Sequence, residues 1–177
     1  MGKDNKLALF EETVLPHTAA AYNLARWLTG NEHDAQDVSQ EAYLRAFKFF
    51  EGFRGIDSRA WLLAIVRNTC YTWLKEKNMI DKMTFFDEEI HTADENESNP
   101  ETDLLHAMDI ERIRKAIEEL PVQYREAIVL CDLEGMSYKE IAQVTKLPIG
   151  TVMSRLARAR KRLVEYLGGT AERGGLK

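Results

Sequence analysis

The stretch GTVMSRLARARKRL, residues 150–163, holds five basic side chains within eight positions: Arg155, Arg158, Arg160, Lys161 and Arg162. Val152, Leu156 and Leu163 recur at helical spacing between them, so one face is apolar and the other basic. Just upstream, SYKE (137–140) has the S-x-x-E spacing of a helix capping box. Pro148 suits the first turn of the next helix, where its missing N–H costs no bond. A short helix, a tight turn and a basic helix make the helix-turn-helix arrangement. Yet the chain of 177 residues carries a formal net charge of −5.

Much of that acidity is local. Residues 87–103, DEEIHTADENESNPETD, hold eight acidic residues and no basic one, so the remainder carries +3. Ile90 and Ala93 are too little apolar content to bury a face, and Pro100 interrupts any helix. The segment reads as a flexible acidic linker. Glycine and proline are sparse elsewhere and apolar spacing is helical nearly throughout, so the fold class is all-α: two small helical domains joined by that linker. The expected division is a first domain over 1–80, the linker over 81–104, a helix-turn-helix domain over 105–167, and a disordered tail over 168–177. No run approaches the roughly 18 apolar residues of a membrane helix, and no secretion signal is evident, so a cytoplasmic protein is expected. Cys70 and Cys131 read as small core hydrophobes in a reducing compartment rather than a disulfide. His17, His33, His91 and His106 lack metal-ligand spacing, and no nucleophile–base pair stands out. Neither an enzyme nor a cofactor is expected.

Four helices are expected in the first domain, near 6–15, 16–28, 31–50 and 60–78, with Ser58 or Asp57 as the cap of the fourth. Gly30 suits the end of the second, and Asn31 the N-cap of the third. Ala35, Val38, Ala42, Ala46 and Phe49 form the inner stripe of that third helix. Asp34, Asp37, Gln40, Glu41, Arg45 and Lys48 lie on its other side. The loop EGFRGIDSR leads into the fourth helix, where Trp61, Tyr71 and Trp73 interleave with Arg59, Arg67, Asn68, Lys75 and Lys77. Aromatic rings among cations suit single-stranded nucleic acid, because rings stack bases while cations follow the backbone. Trp61 reads equally well as core. In the second domain, four helices are expected over 103–120, 121–135, 137–145 and 148–167. On the last, Thr151, Ser154, Arg155 and Arg158 occupy the turns that meet base edges, whereas Arg160, Lys161 and Arg162 suit phosphates.

The strings DAQDVSQEAYLRAF, FRG…AWLLAIVRN, LPVQYREAIVLCDLEGMSYKEIA and GTVMSRLARARKRL together resemble the bacterial RNA polymerase sigma factors of the extracytoplasmic-function class, over most of the chain. The resemblance implies a factor that binds core RNA polymerase and directs it to promoter DNA, with an anti-sigma factor as regulator. Asp34, Asp37, Gln40, Glu41 and Arg45 would dock on the β′ clamp, and the polymerase β flap would be a further contact. Phe53, Arg54, Arg59, Trp61, Arg67 and Asn68 would read and melt the −10 element. Thr151, Ser154, Arg155 and Arg158, with Arg160 and Arg162, would bind the −35 element. Thr72 stands where many relatives have Asp, and Met153 where many have Arg or Lys; both departures bear on which promoter bases are read. A helix-turn-helix regulator that binds operator DNA without polymerase is the alternative, but it gives the Trp61-to-Lys77 helix no task.

Overall fold

The computed structural model describes residues 2–77 and 110–174, with side chains as far as Gly168. The acidic linker lies outside the described residues. Every regular element among them is helical.

The N-terminal lobe holds α1 (Lys3–Val14), a 3-10 turn at Leu15–His17, α2 (Thr18–Thr29), α3 (Glu32–Phe49) and α4 (Ser58–Glu76). Local chemistry sets the boundaries. α2 stops at Gly30, whose φ of 88° is left-handed backbone that glycine adopts without strain. Asn31 then caps α3 by accepting from the Asp34 amide at 2.9 Å. Asp57 caps α4 in the same way, accepting from Ala60 at 2.9 Å.

Ala21, Leu24, Ala25 and Leu28 of α2 pack against Ala35, Val38, Ala42 and Ala46 of α3 and Leu62, Leu63, Val66 and Cys70 of α4. Alanines at facing positions let the helix axes approach closely. The α3 stripe ends differently from the expected one. Phe49 is exposed, and Phe50 is buried in its place, edge-on to Phe10 at 5.3 Å between ring centroids. Phe50 stands four residues after buried Ala46 and so continues the inner face, and the chain then tightens into a 3-10 turn at Phe50–Gly52.

The C-terminal lobe holds α5 (Ile110–Glu118), α6 (Val122–Ile128), α7 (Tyr138–Thr145) and α8 (Ile149–Gly174). The expected helix over 121–135 is not uniform. At Val129–Leu133 it widens into a π-turn, closed by the Glu134 amide donating to the Val129 carbonyl at 2.9 Å. The capping box at Ser137 and Glu140 is present in both directions. Lys146 ends α7 in left-handed conformation, with φ of 60°. α8 continues to Gly174, through residues where the sequence reading placed a disordered tail. A formed helix gains one hydrogen bond for each residue added, and this offsets the flexibility of Gly168 and Gly169.

The two lobes share one continuous apolar cluster. α4 packs on α7, and α2 on α6.

Candidate nucleic-acid interface

Three surfaces carry the residues singled out from the sequence. On α3, Asp37, Gln40 and Glu41 point outward, with the Asp37 and Glu41 side chains 62% and 51% exposed. Arg45 donates to Glu41 at 2.8 Å, an i,i+4 pair that aligns both charges along the helix. Asp34 is occupied at the cap, held by the Asn31 side chain. Leu44 lies on this outer face and is 69% exposed. Sequence reading missed it, although an apolar residue within a polar stripe was the available signal.

The second surface is the loop before α4 and the first turns of that helix. Phe53 stacks near Phe50 at 6.2 Å and meets Trp61 at 4.9 Å. Trp61 is half-buried and also contacts Phe50 at 6.1 Å, so it is at once core and rim. Arg54 is exposed and donates to the Glu51 carbonyl at 2.9 Å. Gly55 lies under Phe53, because a Cβ there would come within 2.9 Å of the ring. His17 and the Ser58 hydroxyl share a hydrogen bond of 2.9 Å that ties the start of α4 to the turn before α2. Asn68 is exposed one residue beyond Arg67.

The third surface is α8. Val152, Leu156 and Ala159 are buried, whereas Met153, Ala157, Lys161 and Arg162 face outward. Thr151, Ser154 and Arg158 are half-buried along its flank. Arg160 donates to Asp132 at 2.8 Å, and the Arg162 guanidinium sits over the Tyr124 ring at 4.9 Å. Of the three residues expected at phosphates, Arg160 and Arg162 therefore make contacts within their own lobe, and Lys161 faces solvent.

Arg59, Arg67 and Arg155 have a different setting, at the junction of the lobes. Glu126 of α6 is 1% exposed. It accepts from Arg67 through both carboxylate oxygens and from the Tyr71 phenol at 3.0 Å. Burial opposes the Arg67 charge, but Glu126 more than offsets it and holds the guanidinium above its ordinary value. Burial, then the negative charge of Glu126, raises Tyr71 strongly, so its phenol stays protonated and donates. Arg155 is close enough for its positive charge to oppose that rise, and its Nε is buried without a hydrogen-bond partner. Glu134 makes a second junction, accepting from Asn23 at 2.6 Å and from Arg59 at 3.2 Å. Arg125 makes a third, donating to the Trp27 carbonyl of α2 at 2.9 Å and to Glu118 and Leu120 of its own lobe. Glu126, Glu134 and Arg125 escaped sequence reading because their partners lie on the other lobe, and Tyr71, expected among the rings that stack bases, is instead a donor to Glu126. Among the described residues, no group of His, Cys, Asp and Glu is arranged to hold a metal ion, and no helix is long and apolar enough to cross a membrane.

Residues 14–79 match the family description "Sigma-70 region 2", and residues 110–163 match "Sigma-70, region 4". The ECF RNA polymerase sigma factor SigE of Mycolicibacterium smegmatis is 32% identical over 94% of this chain, which spans 64% of that relative's length. The ECF RNA polymerase sigma-E factor of Escherichia coli K12 is 37% identical, over 72% of this chain and 71% of the relative. Among solved structures, the sigma factor RpoE of Bartonella quintana, in complex with the anti-sigma factor NepR, has 29% identity and a TM-score of 0.68. That likeness covers 90% of this chain and 96% of RpoE. CnrH in complex with the cytosolic domain of CnrY follows, with 25% identity and a TM-score of 0.63 over 90% and 88% of the two chains. Two sigma-70 regions in this order, together with relatives matched over most of their length, establish that the chain belongs to the ECF RNA polymerase sigma factors.

Proposed function

We propose that this protein binds core RNA polymerase in the cytoplasm, directs it to promoters with −10 and −35 elements and promotes their melting. The observation that carries this reading is the joining of regions 2 and 4 in one chain, each presenting an outward face of suitable chemistry. The α3 face of Asp37, Gln40, Glu41, Leu44 and Arg45 offers charge around an apolar centre, as a docking surface needs. Asp34, committed to its cap, would shape this surface more than contact the partner. The docking sites would be the β′ clamp for α3 and the β flap for the C-terminal lobe.

Phe53, Arg54, Arg59, Trp61, Arg67 and Asn68 combine rings, cations and an amide, which suits an unstacked single strand. The flank of α8 with Thr151, Ser154, Arg155 and Arg158 suits base edges in a major groove, where Arg can donate twice to guanine. Arg160 and Arg162 would strengthen phosphate contact from the same helix. These roles are binding roles, so no catalytic step is assigned to the chain. The two structural relatives named above are complexes with anti-sigma proteins, and we extend control by such a partner to this chain.

A polymerase-independent operator binder would leave the outward face of α3 without a task. Run-off transcription from a promoter library with core polymerase, with and without the pure chain, tests the proposal. Promoter-specific transcripts only in its presence are expected. Tight operator footprints by the chain alone, without polymerase association, would overturn it.

A further inference from the structure

We propose that Glu126 is an internal latch: it holds the free protein closed by competing with promoter DNA for Arg67, and on opening it passes to Arg155. The proposal rests on the reading that Arg67 contacts the −10 strand.

The geometry supports each part. Glu126 belongs to the C-terminal lobe, but the donors it accepts from, Arg67 and Tyr71, both belong to α4 of the N-terminal lobe. The Arg67 side chain is only 16% exposed in this arrangement. A guanidinium held by a buried carboxylate and covered by the other lobe has little surface left for a phosphate or a base. Arg59 is tied to Glu134 across the same junction, so two of the six candidate −10 residues are occupied at once. The contact is therefore closed with respect to −10 binding, and it is built from the chain's own residues.

Separating the lobes would take both donors from Glu126 and open that side of its carboxylate, which leaves it free to accept from a donor of its own lobe. Arg155 lines the same small cavity as Glu126, and its Nε is buried without an acceptor. One donor lacks an acceptor when the protein is closed, and one acceptor lacks its donors when it opens. Each completes the other. The exchange links release of the −10 module to fixation of the first turns of α8. In a closed–open equilibrium, apparent DNA affinity falls by the open fraction, so the latch acts as an affinity penalty on the free factor.

The test uses the full free chain and two readouts: radius of gyration by X-ray scattering, and anisotropy of a short fluorescein-labelled single-stranded DNA of random sequence. Wild type should be compact and bind weakly. Glu126→Gln should expand the protein and tighten DNA binding about tenfold or more. Arg67→Gln should expand it without that gain, and it keeps the compaction test alive if Glu126→Gln fails to fold. The exchange Arg67→Glu with Glu126→Arg should restore compaction. Arg155→Gln should keep the protein compact to higher salt than wild type but change nothing beside Glu126→Gln; expansion at the same salt as wild type would remove the hand-over. An extended wild type, variants as compact as wild type, or expansion by Glu126→Gln with no gain in affinity would overturn the latch. If Arg67→Gln opens the protein and gains as much affinity as Glu126→Gln, the latch stands and the assignment of Arg67 to DNA fails.

Discussion

Tyr71 on α4 donates its phenol to the Glu126 carboxylate on α6 at 3.0 Å, across the junction of the two lobes. The same carboxylate accepts from Arg67, whose guanidinium lies over the Tyr71 ring at 4.3 Å from its centroid. Three side chains thus share one buried site, and their energies should not add. In a cycle of Arg67→Ala, Glu126→Ala and the double variant, denaturant titration should give a coupling of about 1–3 kcal/mol. Additive losses would mean that the pair contributes nothing beyond its separate packing.

Cys70 lies within the same electrostatic reach. Burial first, then Glu126, pushes its thiol up to about 12 from an ordinary value of 9.0. The folded state therefore keeps a proton that the unfolded chain loses above about pH 9, so this contribution to stability is present below that pH and is lost as pH rises toward 12. Cys70→Ala should flatten the fall in melting temperature over that interval. Near neutrality, alkylation of the native protein should label half-buried Cys131 before Cys70, as peptide mapping would detect.

The outward face of α3 carries a prediction about docking. Asp37→Arg and Glu41→Arg replace exposed carboxylates, so the fold should survive within about 0.5 kcal/mol. Core polymerase association should weaken in both, chiefly by faster dissociation and by loss of steering. Leu44→Asp should weaken it as well, by removing the apolar centre. Unchanged affinity of all three in a competition for core polymerase would place the docking face elsewhere.

Arg158 and Arg162 should separate reading from grip. Arg158→Ala is expected to lower discrimination among −35 sequences by about 1–3 kcal/mol in the holoenzyme. Arg162→Ala should weaken binding evenly across sequences, and should also cost about 0.5–1 kcal/mol of stability through loss of its contact with Tyr124. A panel of −35 sequences measured with each variant distinguishes the roles.

Asn68 is exposed on α4, so Asn68→Ala should leave the melting curve of the free protein unchanged. Open-complex formation should fall, because extruding a base costs a few kcal/mol that contacts with residues such as Asn68 must return. Permanganate footprints should recover in part on templates melted in advance at the −10 region. Loss of thermal stability without selective rescue would make Asn68 a structural residue.

Much of this molecule is legible along the chain because its causes are local. Asn31, Gly30 and the Ser137–Glu140 box act within one turn of their own helix, so composition and spacing reveal them. The apolar faces of α2, α3 and α8 follow helical periodicity, and their outward residues are what remains. Phe49 broke the pattern because helical spacing after Ala46 allows either the third or the fourth residue on, and the packing of Phe50 against Phe10 selects the fourth. The lobe junction lay beyond reach for a stronger reason. Glu126 reads as an ordinary surface carboxylate in a helix; it is buried only because Arg67 and Tyr71, more than fifty residues away, supply the charge and the hydrogen bond that make burial tolerable. A buried ion pair has no local period: its two halves are each unfavourable alone, and only the packing of α4 against the C-terminal lobe makes them stable together.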